Sequence, residues 1–163
     1  MTGVLRLGSS LLLCAALLAG CAVPPRTPTP AGVQAWNGRL ALSVDGRADQ
    51  SFSAGFELKG AAETGELTLT NPLGGTVAVL AWAPGQATLR SGGKVREFPS
   101  VEALALEATG AEIPVTALFD WLDGKATPVP GWEPDLTRLA EGRLQARRTD
   151  PPPPAQLRVL FER

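Results

Sequence analysis

Trp36-Asn37-Gly38-Arg39-Leu40-Ala41-Leu42-Ser43-Val44 alternates with a period of two: Trp36, Gly38, Leu40, Leu42 and Val44 fall on one side, and Asn37, Arg39, Ala41 and Ser43 on the other. Successive side chains of a strand point to opposite faces, so this stretch reads as a strand with one face buried. After the turn at Asp45-Gly46, Phe52, Ala54, Phe56 and Leu58 alternate with Ser51, Ser53, Gly55, Glu57 and Lys59, a second strand of the same kind. An antiparallel hairpin follows. Further along, Glu66 to Thr70 gives a third strand with Leu67 and Leu69 on one face, and Thr76 to Trp82 a fourth that is apolar on both faces. Gln86 to Arg90 and Lys94 to Phe98, divided by Gly92-Gly93, give a fifth and a sixth.

The period then changes. Ser100 to Ala108 reads as a short helix with Ser100 as its N-cap and Gly110 past its end, and Pro114 to Asp123 as a second with Gly124 past its end. Val115, Leu118, Phe119 and Leu122 share one helical face, which must be buried, and the neighbouring sheet is the available partner. A Pro-rich stretch from Ala126 to Pro134 follows, then late strands at Gly142 to Arg147 and Gln156 to Glu162, with Pro151 to Pro154 as a stiff connector. The expected class is mainly β with two or more short helices, an antiparallel sheet carrying the helices on its concave face.

Upstream of the first strand, Arg6 precedes the apolar run Leu11-Leu12-Leu13-Cys14-Ala15-Ala16-Leu17-Leu18, which ends in the small pair Ala19-Gly20. This is the layout of a secretory signal peptide, and its apolar run is about half the roughly 20 residues a spanning helix needs. Leu18-Ala19-Gly20-Cys21 matches a lipobox, in which the cysteine thiol is acylated and becomes the mature N-terminus. Anchoring by two or more acyl chains is stable, each buried methylene contributing about 0.8 kcal/mol. The residues from Ala22 to Gly32 are rich in proline and read as an extended tether with at most about 30 Å of reach at ~3.1 Å per residue. The expected division is therefore a signal peptide over 1–20, an acylated cysteine and tether over 21–34, and a single domain over 35–163.

Composition narrows the function. The chain has two cysteines, of which Cys14 is lost with the signal and Cys21 is acylated, so the domain has no disulfide and no cysteine ligand for a metal. Histidine and tyrosine are absent, which removes the commonest general base and metal ligand. The carboxylates Asp120, Asp123, Glu133 and Asp135 have ordinary capping or solvated placement. No catalytic or metal site and no cofactor is expected, and the net charge of −1 implies no nucleic-acid surface. Roughly 140 residues remain after the signal, enough for one well-filled core.

The turn Thr70-Asn71-Pro72-Leu73-Gly74-Gly75 joins the third and fourth strands, and its leucine is out of place in a surface loop. An exposed leucine entering lipid or an apolar pocket gains roughly 1.5 to 3 kcal/mol. The plainer alternative is that it folds back against the hairpin.

Three ordered motifs, Trp36-x-Gly38-Arg39-Leu40, Leu67-Thr68-Leu69-Thr70-Asn71-Pro72-Leu73-Gly74 and Gly110-x-x-Ile113-Pro114-Val115-x-x-Leu118-x-x-Trp121-Leu122-x-Gly124, resemble the LolB family of outer-membrane lipoprotein receptors. The resemblance implies an unclosed antiparallel β-barrel lidded by helices and an apolar cavity for acyl chains. It also implies a membrane-directed loop of Pro72, Leu73 and Gly74, a LolA-like periplasmic carrier as partner, and residence at the periplasmic face of the outer membrane as a monomer. Combined with the strand periodicity, it makes Leu40, Leu42, Phe52, Phe56, Leu58, Leu67 and Leu69, with Leu118, Trp121 or Leu122 from the second helix, the expected cavity lining. A dry core built of the same side chains is the competing outcome. Beyond Gly124 the resemblance fades. The family continues there with a tryptophan-containing strand pair and a closing strand, and the shorter stretch in this chain leaves room for the loss of a pair.

Two functions are weighed against an enzyme, which the missing side chains disfavour. One is acceptance of lipoproteins from a carrier and their insertion into the outer membrane without nucleotide. The other is binding of lipid or hydrophobic ligand on the same fold without a carrier.

Overall fold

The computed structural model describes residues 34–109 and 112–162, so the signal sequence, Cys21, the tether up to Val33 and the stop at Gly110 lie outside the described residues. Nine strands follow one another as an antiparallel sheet: β1 (Gln34–Val44), β2 (Phe52–Gly60), β3 (Gly65–Thr70), β4 (Thr76–Ala83), β5 (Gln86–Ser91), β6 (Lys94–Phe98), β7 (Trp132–Asp135), β8 (Arg143–Arg148) and β9 (Ala155–Glu162). Their order across the sheet is β6-β5-β4-β3-β2-β1-β9-β8-β7. Neighbouring strands are consecutive in the chain except where β9 returns beside β1, pairing Gly38 with Phe161 and Leu42 with Leu157. Strands β6 and β7 are its two free edges, so the barrel is unclosed.

The helices α1 (Val101–Thr109) and α2 (Val115–Leu122) occupy the sequence between the two edges. They pack on the concave face, where Leu104, Val115, Leu118, Phe119, Trp121 and Leu122 meet inward side chains of the strands in one apolar cluster. The Ser100 hydroxyl accepts the Ala103 N–H at 3.2 Å, the N-cap bond read from the sequence. Alternation holds closely in β1, where Trp36, Leu40, Leu42 and Val44 are buried, and in β9, where Ala155, Leu157, Val159 and Phe161 are buried.

Gly38 is the one position in β1 where side-chain size matters absolutely. A β-carbon there would run into the carbonyl oxygen of Leu160 across the β1–β9 ladder.

The C-terminal region corrects one expectation. A tryptophan-containing strand pair is present after Gly124: Trp132–Asp135 pairs with Gln145–Arg148. Pro134, at the end of the Pro-rich stretch, is accommodated because β7 is an edge strand, where a missing N–H faces no neighbour. The buried Arg148 lies 5.8 Å from the Trp132 ring and donates from Nη2 to the Pro153 carbonyl at 3.0 Å, holding the proline connector to the sheet.

Candidate functional site

The two ends of the barrel differ. At the end where β1 begins and β4 finishes, the Phe119 ring of α2 stands edge-on to Trp36 at 5.6 Å and to Trp82 at 6.0 Å. Each such pair contributes about 0.5–1.5 kcal/mol beyond its burial. The Trp82 indole donates to the Ala62 carbonyl at 2.9 Å and the Trp121 indole to that of Thr127 at 2.9 Å, so the large aromatic plug leaves neither N–H unpaired. Leu58, Trp121 and Leu122 are fully buried beside it.

At the opposite end, where β1 finishes and β3 gives way to β4, the space between sheet and helices is not filled. A cavity of about 520 Å³ opens there, lined by Leu40, Phe52, Leu67, Leu69, Leu80, Leu89 and Leu157 from the strands and by Ala105, Ile113, Val115 and Leu118 from the helical segment. Its rim carries Asp49, Gln50, Lys94 and Arg96. Arg96 is held across the rim by Glu107 of α1 at 3.0 Å and lies over Phe98 at 5.4 Å, which ties the edge strand to the first helix. A side-chain hydrogen bond from Arg47 holds the Asp49 carboxyl below its ordinary pKa, so it stays ionised at the mouth.

The expected lining thus divides. Leu40, Phe52, Leu67, Leu69 and Leu118 border the cavity. Leu42, Phe56, Leu58, Trp121 and Leu122 are not in its lining, although they share the inward face; they are buried in the surrounding core. Alternation assigns a face but not a depth along the barrel, and α2 crosses so that Val115 and Leu118 reach the cavity while Phe119 and Trp121 fill the far end. Leu80, Leu89 and Leu157 were missed as lining, though each is in phase within its strand. Val77 had no signal at all. The β3–β4 register slips between Leu69 and Thr70, and this bulge brings Val77 into the lining beside Ala78.

The loop Asn71–Gly75 stands at the same end as the cavity mouth. Leu73 is 96 % exposed at its tip, touching neither core nor cavity. Asn71 organises the turn. Its carboxamide oxygen accepts the N–H of Leu73 at 3.0 Å and that of Gly75 at 2.9 Å, while its carbonyl accepts Gly74 N–H at 3.0 Å. Its own N–H donates to the Gly75 carbonyl at 2.9 Å. Pro72 has no N–H to satisfy, and Gly74 supplies the left-handed φ of 83° that the turn requires. Every backbone N–H from 71 to 75 therefore has an acceptor inside the loop. The leucine was legible in the sequence, but Asn71 as the residue that satisfies the loop was not, since any Asn-Pro turn looks the same until the acceptor is placed.

The family model described as "Outer membrane lipoprotein LolB" matches residues 34–153. An outer-membrane lipoprotein LolB of Bordetella petrii is 35% identical over 166 residues, covering 85% of this chain and 83% of that protein. One of Bordetella pertussis is 38% identical over 122 residues, covering 71% of this chain and 61% of that protein. One of Chromobacterium violaceum is 34% identical over 142 residues, covering 83% and 75%. The matched span passes Gly124 and takes in β7 and β8, in keeping with the retained strand pair.

Proposed function

The chain belongs to the LolB family of outer-membrane lipoproteins, and from that premise we propose that it accepts lipoproteins from a periplasmic LolA-like carrier and inserts them into the outer membrane. Acyl chains enter the cavity beside α1 and α2. Leu73 leads their release into the bilayer, and Cys21, acylated and joined to the domain by the proline-rich residues up to 34, holds the protein at the membrane.

The observation that carries this reading is the pairing of an open apolar cavity with a loop whose backbone N–H groups are all bonded, at one end of the barrel. In hydrocarbon an unpaired backbone N–H costs several kcal/mol, so most surface turns cannot enter it. The turn at 71–75 brings none, and it presents a leucine whose transfer is favourable by roughly 1.5 to 3 kcal/mol.

Taking a methylene as near the ~30 Å³ of a water, the cavity of about 520 Å³ has room for approximately one acyl chain. A substrate with two or more chains requires α1 to move off the sheet. The Arg96–Glu107 pair is exposed on both sides, so it is a weak restraint on that motion. No nucleotide is needed: a sequence of sites ending in the bilayer runs downhill if each binds the chains more favourably than the one before.

The test is transfer of a labelled lipoprotein from loaded carrier to this protein and then to lipid vesicles. Both steps are expected to proceed without nucleotide. Binding of acyl chains with no transfer from the carrier would instead favour a hydrophobic-ligand protein on the same fold.

A further inference from the structure

The β5–β6 hairpin lies at the same end of the barrel as Leu73. Its tip follows Ser91 and precedes Lys94, and the loop at 71–75 joins the strands two places along. With strands about 4.8 Å apart, the two turns are separated by roughly 10 Å across the sheet, and the pairing of Ser91 with Ala78 sets the β5–β6 turn back from the β3–β4 loop, which opens at the Thr70–Thr76 pair. They are also tied together: the Ser91 hydroxyl donates to the carbonyl of Val77, the bulged residue just after the leucine loop, at 2.9 Å.

The chemistry of this hairpin differs from that of its neighbours. From Gln86 to Phe98 it holds three cations and one acid, Glu97, which pairs with Thr88 at the end away from the turn. Arg96 is engaged with Glu107, but Arg90 and Lys94 are exposed, and among the described residues neither joins an ion pair. Val95, directly opposite Arg90 in the ladder, is 60 % exposed. An exposed apolar side chain beside two unpaired cations, at the same end of the sheet as an exposed leucine, suits a surface that meets lipid with negative headgroups.

We propose that the β5–β6 hairpin is a second membrane contact, in which Arg90 and Lys94 bind anionic phospholipid headgroups and hold the cavity mouth against the bilayer while Leu73 enters it. The proposal rests on the reading of this end as the membrane-facing one. A single leucine gives a weak and unoriented contact. Two turns roughly 10 Å apart across the sheet define a line at the rim, which restrains the tilt of the mouth along that line during release.

The test uses the mature chain carrying Cys21→Ala, which retains every described strand and helix, in flotation with vesicles of phosphatidylethanolamine alone or with added phosphatidylglycerol. The parent is expected to bind the anionic vesicles more tightly, and added salt to abolish the difference. Arg90→Gln with Lys94→Gln is expected to lose that preference, binding about 25-fold more weakly at low salt, since each cation near an anionic surface is worth roughly fivefold. Its melting temperature and its binding to the neutral vesicles should not change. Equal binding of variant and parent to anionic vesicles overturns the proposal. Slower acceptance from a loaded carrier with vesicle binding unchanged overturns it too, because the hairpin would then face the carrier. Delivery by Leu73→Glu separates the underlying reading: wild-type delivery by that variant overturns the insertion loop, whereas loss of delivery beside an unaltered double variant overturns the hairpin alone.

Discussion

Replacing Leu73 by Glu is expected to abolish delivery of lipoprotein into the membrane while leaving folding and acyl-chain acceptance intact. The side chain is 96 % exposed and absent from the cavity lining, so its removal forfeits no packing. The turn is held by Asn71 through the backbone N–H of residue 73, which glutamate retains. Stability should therefore change by no more than about 0.5 kcal/mol, the usual range for a surface substitution. Membrane entry changes sign. The leucine contributes roughly 1.5 to 3 kcal/mol on leaving water, and its loss alone lowers occupancy of the inserted state about 10- to 150-fold at ~1.4 kcal/mol per decade. A carboxylate must additionally be desolvated or protonated, which raises the cost further. The assay follows one labelled lipoprotein through two steps, carrier to variant and variant to vesicle, alongside thermal melting. A normal first step with a second step slowed at least tenfold is expected. A fall in melting temperature of several degrees would make Leu73 a structural residue, and delivery at the wild-type rate would reduce the loop to an ordinary turn.

Asn71→Ala should cost stability only about 0.5–1.5 kcal/mol per lost hydrogen bond in water, yet slow delivery much more, because the Leu73 and Gly75 N–H groups would enter lipid unpaired; urea unfolding and the vesicle step measure the two effects separately. Ala78→Trp, at a partly buried lining position, should fill the cavity and weaken binding of a fluorescent acyl probe about tenfold, overpacking costing roughly 1–3 kcal/mol, while circular dichroism stays unchanged. Gly38→Ala should destabilise the domain by about 2–4 kcal/mol, read from the urea midpoint, since its β-carbon meets the Leu160 carbonyl oxygen. Cys21→Ala should move the protein from the membrane pellet to the soluble fraction once membranes are washed with high salt, which screens the contact of Arg90 and Lys94, and a variant that still pellets would show a second anchor.

Much of the architecture is legible residue by residue. The alternation of Trp36 to Val44 and of Phe52 to Leu58 specified two strands, their buried faces and their antiparallel pairing. Ser100 announced a helix start, and the face of Val115, Leu118, Phe119 and Leu122 announced a helix lying on the sheet. Asn71-Pro72-Leu73-Gly74 was legible as a turn with an anomalous leucine. Trp132–Asp135 was not legible as a strand, because Pro134 disqualifies a central strand and only the assembled sheet reveals that β7 is its edge.

What the sequence determined alone is whatever depends on neighbours along the chain: period, caps, turn chemistry and the face on which each side chain falls. What only the tertiary structure decided is where along the barrel each inward side chain comes to rest. Phe52 and Leu58 are indistinguishable by phase along β2, yet one borders the cavity and the other lies in the surrounding core beside Trp36, because α2 fills the far end with Phe119 and Trp121 and leaves the near end to Val115 and Leu118. The bulge that brings in Val77, and the hydrogen bonds that give every N–H of the 71–75 turn an acceptor, likewise depend on atoms meeting across the sheet and the turn. A one-dimensional pattern carries no distance between such groups, and the difference between a packed core and a cavity is set by those distances.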